Sequence, residues 1–208
     1  MTSAAAPTAR QRQRQQTREQ ILEAASAVFA QAGFDAASLA DIAQAAGVKK
    51  ALVQYHFSTK EQLWRDTANH IWAQRKSHMA SALQFADIDD ALGTMRRGFT
   101  ALVEFTHREP HWLWFMFHEA ASGGDRQQWL VEHCLKADYQ TGESFVREFQ
   151  ARGLIRSGSA MHLLHLISGA LTYNLLVAPS TLLATGLDLG SRESIDQQVN
   201  LLQELLAP

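Results

Sequence analysis

Residues 38–63 read SLADIAQAAGVKKALVQYHFSTKEQL, and two apolar runs parted by a glycine decide how they fold. Leu39, Ile42, Ala43 and Ala46 recur at the three- and four-residue spacing of one helix face. Gly47 interrupts, Val48 comes next as an apolar plug, and a second short helix is expected from about Lys49 to Phe57. A residue without a Cβ takes positive φ at little steric cost, so Gly47 lets one helix stop and the next leave at a steep angle. Two short helices around such a turn are the layout of a helix-turn-helix, whose second helix enters the DNA major groove. Val48, Leu52, Val53 and Phe57 are expected inward, against the preceding helix and Leu63. Lys49, Lys50, Ala51, Gln54, Tyr55 and His56 are then left outward as the candidate DNA-binding face. Gln54 suits adenine N6 and N7, Ala51 a thymine methyl, and Lys49 and Lys50 guanine or phosphate. Tyr55 and His56 suit phosphates. Ser38 is expected to cap the first short helix, with Asp41 three residues on, and its hydroxyl can also reach a phosphate. Ser58 and Glu61 form a capping-box pattern for the next helix. Lys60 at that helix start opposes the macrodipole, a mismatch that a bound phosphate would offset.

The order of residue types also resembles the signature of the TetR family of bacterial transcriptional repressors, roughly T-x-x-x-I-A-x-x-A-G-V-S-x-x-x-L-Y-x-H-F-x-x-K-x-x-L. Ile42-Ala43, Ala46-Gly47-Val48, His56-Phe57, Lys60 and Leu63 match as they stand. Ser38, Lys49, Val53 and Gln54 take the places of its Thr, Ser, Leu and Tyr. The resemblance implies a phosphate contact at Ser38, and a phosphate-holding Tyr where this chain has Gln54, with Tyr55 placed to compensate. It further implies a dimeric four-helix bundle built by the last two long helices, and repression of transcription.

The chain as a whole accommodates this. Its 208 residues suit one large domain or a small module joined to a larger one, and 46% apolar residues supply a sizeable core. A single cysteine, Cys134, excludes an intrachain disulfide framework and fits a reducing compartment. The start lacks the apolar stretch of a secretory signal. The most apolar run, 163–178, carries His165, Ser168, Thr172 and Asn174 and is shorter than the roughly 20 residues of a membrane span. A cytoplasmic protein without membrane or cofactor is expected. Residues 1–60 hold seven Lys or Arg against four Asp or Glu, a charge of +3, and the remainder brings the chain to −2. A basic end on an acidic body suits contact with polyphosphate.

Three segments are expected: a flexible basic arm over 1–16, a helix-turn-helix domain over 17–60, and a helical ligand-binding and dimerisation domain over 61–208. Residues 1 to about 9 have a disordered composition. Arg10, Arg12, Arg14 and Arg18 then read equally as a solvated face or as an arm or helix extension on DNA phosphates. A helix over 17–33 begins on a Thr17–Gln20 capping-box pattern, buries Ile21, Ala25, Val28, Phe29 and Ala32, and closes at Gly33 with Phe34 as its apolar contact. A helix to about residue 84 carries Leu63, Thr67, Ile71 and Leu83 on one side and joins the two domains. Asp87-Ile88-Asp89-Asp90 starts the next, with Ile88, Leu92, Met95, Phe99, Leu102, Val103 and Thr106 in helical register. Pro110 opens an aromatic helix that ends at Gly123-Gly124. A long helix over 125–152 should bury Leu130, Cys134, Ala137, Phe145 and Phe149 and stop at Gly153. A helix from about 160 should end at Pro179, and a last one spans 192–206. The fold class is therefore all-α, with about nine helices.

The aromatic segment 110–122 reads either as core or as the wall of a ligand pocket. On the second reading the candidate ligand residues are Trp112, Phe115, His118, Glu119, His133, Tyr173 and Asn174, and an apolar or aromatic effector fits them. The partners expected are then palindromic double-stranded DNA, this effector, and a second copy through helices 160–178 and 192–206. The rival class is an all-α enzyme or carrier with an accidental helix-turn-helix resemblance. Its signals are weak: Glu104 and His107 have no second Glu-x-x-His, Pro110 separates His107 from His111, and His162 with His165 supplies two ligands alone. No G-x-S-x-G nucleophile elbow occurs. Neither a catalytic nor a metal site is expected.

Overall fold

The computed structural model describes residues 8–84 and 89–208. The readings of residues 1–7, Asp87 and Ile88 lie outside the described residues. In chain order the helices are α1 (Ala9–Ala36), α2 (Leu39–Ala45), α3 (Lys50–His56), α4 (Lys60–Leu83), α5 (Ala91–Arg108), α6 (His111–Ser122), α7 (Asp125–Leu130), α8 (Lys136–Ala151), α9 (Ala160–Thr185) and α10 (Arg192–Leu206). A π-helical turn, Val131–Leu135, joins α7 to α8. With 125–151 taken as one continuous helix, the described residues form nine helices and no strand, an all-α protein. Two compact units emerge, 1–71 with 114–130, and 72–113 with 131–208.

In the first unit α1 begins eight residues before the start that the Thr17–Gln20 pattern predicts. Thr8, not Thr17, makes the capping box: its hydroxyl accepts from the Gln11 N–H while the Gln11 side chain accepts from the Thr8 N–H. Thr17 instead donates to the Gln13 carbonyl. The expected arm is thus helical from Ala9. Ile21, Leu22, Ala25, Ser26, Phe29 and Ala30 are buried, whereas Ala32 is exposed, because the buried face centres about one residue later than the pattern suggests. Gly33 takes φ 73 and ψ 174 and kinks α1 before its last turn. The α4 cap also moves: Thr59 accepts from the Gln62 N–H, and Gln62 accepts from the Ser58 N–H, so the box is one residue beyond Ser58–Glu61.

The second unit has one core, in which Met95, Phe99 and Val103 of α5, Val146 and Phe149 of α8, Leu163, Ile167 and Leu171 of α9, and Ile195, Val199 and Leu202 of α10 are buried together. The π turn revises the expected face of 125–152. One extra residue in that turn rotates the whole of α8 about its axis, so Ala137 is exposed and Val146 takes a buried place. Leu92 is likewise at the surface. Gly153 (φ 67) makes the expected stop: its N–H reaches the Gln150 carbonyl and that of Leu154 the Phe149 carbonyl.

Pro179 does not end α9, which runs on to Thr185 and closes on Gly186 at φ 76. Proline fixes a φ that a helix accepts, and what it removes is its own N–H donor. At 26 residues α9 is long and apolar enough to cross a membrane, a length that the run 163–178 alone does not reach. Its buried face packs with α5, α8 and α10.

Candidate nucleic-acid interface

The helix-turn-helix is assembled by caps and one tether. Ser38 is extended (φ −119, ψ 154), and its Oγ accepts from the Asp41 N–H at 3.1 Å while donating to the Asp41 carboxylate at 2.6 Å. Asp41 sits in the first turn of α2, where negative charge is favoured. At the other end Gly47 has φ 64; its N–H reaches the Gln44 carbonyl and that of Val48 the Ala43 carbonyl, a Schellman pair. The Ala46 carbonyl left over at this turn accepts from Gln20 Nε2 of α1 at 2.7 Å. Gln20 is therefore a lock on the turn rather than half of a capping box. That role has no signature in local spacing, since the bond closes over 26 residues.

On α3, Val53 and Phe57 are fully buried and Lys50, Ala51, Gln54 and Tyr55 are exposed, as the periodicity requires. Lys49 is the exposed N-cap residue. Leu52, expected inward, is 37% exposed, because Val53 and Phe57 already fill the inner face of a seven-residue helix. His56 is half-buried with its ring edge-on to Tyr55, 5.3 Å between centroids. Burial holds its pKa below the usual 6.5, and the Arg14 and Arg18 charges add to that effect, so His56 is neutral at neutral pH. Lys60 Nζ donates to the Asp35 carbonyl at 3.2 Å and lies 4.5 Å from the centre of the Phe34 ring. Its ammonium carries two further hydrogens for an outside acceptor.

The seven candidate ligand residues separate. Phe115, His118 and Glu119 belong to the first unit and Trp112, His133, Tyr173 and Asn174 to the second. Phe115 is buried, stacked on Trp64 at 5.7 Å and edge-on to Phe29 at 6.0 Å. His118 shares a hydrogen with the Ala30 carbonyl at 3.0 Å, and its ring fills the space beside Gly33. Glu119, 2% exposed, accepts from Arg126 Nε at 3.2 Å; Arg126 also faces Asp35 and lies over the Phe34 ring. Burial raises the Glu119 pKa against the pull of Arg126. These contacts clamp the C-terminal turn of α1. Trp64 and Arg126, central to that clamp, carry no signal in the sequence because their partners lie on other helices.

In the second unit Trp112 is buried, its Nε1 donating to Thr106 Oγ1 at 3.3 Å and its ring lying 4.6 Å under the Arg75 guanidinium. Arg75 and Trp72 Nε1 both bond Asp138. His133 is exposed in the π turn. Tyr173 is exposed on α9, whereas Asn174 is half-buried and bonds Gln198 of α10. Cys134 is buried, and burial pushes its thiol up to about 12, so it is an inert core residue. Among the described residues no group of three or more His, Cys, Asp or Glu is placed to hold a metal.

Residues 21–67 match the family described as bacterial regulatory proteins, tetR family. The HTH-type transcriptional regulator TtgR of Pseudomonas putida is 37% identical over 83 residues, 40% of this chain and 39% of that protein. The match thus spans about two fifths of the relative's length. Among solved structures, AibR in complex with isovaleryl coenzyme A and operator DNA superposes with a TM-score of 0.71 at 18% identity, covering 92% of this chain and 98% of that one. HlyIIR, a hemolysin II transcriptional regulator, gives 0.68 at 19% identity, covering 94% and 99%. These likenesses extend the fold to nearly the whole chain. Built as its residues dictate and matched in such regulators, the helix-turn-helix region over residues 21–67 is of the TetR-family type.

Proposed function

We propose that this chain is a ligand-responsive, sequence-specific transcriptional repressor that binds an inverted-repeat operator as a homodimer in the cytoplasm and has no enzymatic activity. The observation that carries the reading is α3 itself: Val53 and Phe57 are buried while Lys50, Ala51, Gln54 and Tyr55 face outward behind a capped turn. Such a face reads base edges through Gln54 and Ala51 and positions on phosphates through Ser38, Lys49, Lys50, Tyr55, His56 and Lys60. A two-fold dimer must set its two α3 helices about 34–36 Å apart, or a multiple of the DNA turn. Leu166, Tyr173, Leu201 and Leu205 are exposed on α9 and α10 and suit burial by a second copy.

Release requires an effector that binds better to a dimer with wrongly spaced α3 helices. α4 is the proposed lever, since its chain begins shortly after α3 and continues into the second unit. Phe115, His118 and Glu119 are engaged in holding α1, so the effector contacts are proposed within the second unit, with an apolar or aromatic ligand favoured by its aromatic residues. AibR, which shares this fold, is in complex with isovaleryl coenzyme A and operator DNA, and this supports a reading in which one such chain takes both a small molecule and an operator. A gel-shift titration with genomic fragments at two salt concentrations tests the proposal. A specific complex that survives the higher salt is expected; its absence with every fragment would return the chain to the carrier or enzyme class.

A further inference from the structure

We propose that the first two turns of α1 are a second DNA-binding element, in which Arg10 and Arg14 each neutralise a phosphate of the strand beside the groove that α3 enters. The proposal rests on the DNA-binding reading above. Residues 9–16 are helical, yet every one is exposed, so no core packing accounts for their order. No Asp or Glu occurs before Glu19. Arg10, Arg14 and Arg18 recur at four-residue steps and share one face, about 6 Å apart along the axis. Arg18 anchors that face internally, paired with Asp66 at 2.9 Å and lying over the Phe57 ring at 5.2 Å. Arg14 lies over the exposed Tyr55 ring at 5.7 Å, which makes Tyr55 the platform that aims it. Arg10 stands one further turn out, past the end of that platform. Arg12, two residues away, projects from the other side of the helix. A basic row that starts at the DNA-facing helix and contains no acid fits a polyphosphate strand, and the phosphate contribution is independent of sequence.

The test measures the affinity of the full chain for sheared mixed-sequence DNA by fluorescence anisotropy between about 50 and 200 mM salt. Wild type, Arg10→Gln/Arg14→Gln and Arg12→Gln are compared, with thermal melts to show that each remains folded. The double variant is expected to lower the log–log salt slope by about 1.8, a difference of roughly tenfold in the affinity lost across that range, while Arg12→Gln leaves the slope at the wild-type value. An unchanged slope in the double variant overturns the proposal, and so does a drop of about 0.9 in Arg12→Gln, half that of the double variant, which would mark a diffuse basic tail in which every arginine counts alike. Failure of the wild type to prefer any genomic fragment, with the slope difference intact, would instead sink the operator reading alone.

Discussion

Gln54 and Glu119 show how much a single side chain decides. Gln54 is exposed next to a fully buried Val53, so its amide is free to meet a base edge. Gln54→Ala is expected to cost about 1–3 kcal/mol on the preferred site and to relax selectivity at one base position. Binding to a panel of single-base variants checks this, and an equal loss on all of them would assign Gln54 to phosphate. Glu119 predicts a pH effect. Its folded pKa is raised above the unfolded value near 4.5, by burial against the opposing Arg126. The folded chain therefore takes up a proton before the unfolded one as pH falls, and this group adds stability through that window and withdraws it at neutral pH. Glu119→Gln should remove that component, so the stability difference between wild type and variant should shift in favour of wild type as pH drops from about 7 towards 4.5. A difference that stays constant across denaturant titrations at those pH values would rule it out. Both residues stand out in the sequence as candidates. The outward place of Gln54 is legible because it comes from helical period alone. The ionic partner of Glu119 is not, because Arg126 lies across the Gly123-Gly124 break.

The elements that the sequence discloses most fully are those whose signals are local. The stops at Gly47 and Gly153, the Ser38 cap and the buried side of α3 depend on contacts within a few residues. Expectation and structure part where another influence decides. Thr8 caps α1 because Gln11 answers it, Pro179 is absorbed near the end of α9, and the π turn shifts the face of α8. Gly33 and Gly47 separate two kinds of constraint. At φ 73 and ψ 174 Gly33 occupies a region that is essentially glycine-only, and a Cβ there would come within 3.2 Å of His118 Nδ1. Gly47 at φ 64 has open space around it. Gly33→Ala is expected to cost about 1–3 kcal/mol for strain, with further loss from the displaced His118. Gly47→Ala should cost about 1–2 kcal/mol from the left-handed backbone alone. Urea unfolding midpoints order the two, and a smaller loss at Gly33 would show that the α1–α6 contact is slack.

For the whole molecule, a basic end and an acidic body with a helix-turn-helix near the start are readable as charge asymmetry and helix order. The surroundings of the candidate ligand residues are not, because composition cannot say which helix an aromatic ring packs on. The exposed row on α9 and α10 leads to a direct expectation: Tyr173→Glu with Leu201→Glu should yield a helical monomer by light scattering, and its operator affinity should fall steeply, since each half-site would be bound alone. A dimer that persists would move the interface elsewhere. The central claim is that α3 of a two-fold dimer reads DNA. Selection of bound duplexes from a randomised library by the purified full chain tests it most directly. Enrichment of an approximate inverted repeat is predicted, with half-site centres one DNA turn apart, about 34–36 Å, or a multiple of it. A pool that stays random after repeated rounds, or converges on a single unrepeated site, would contradict it.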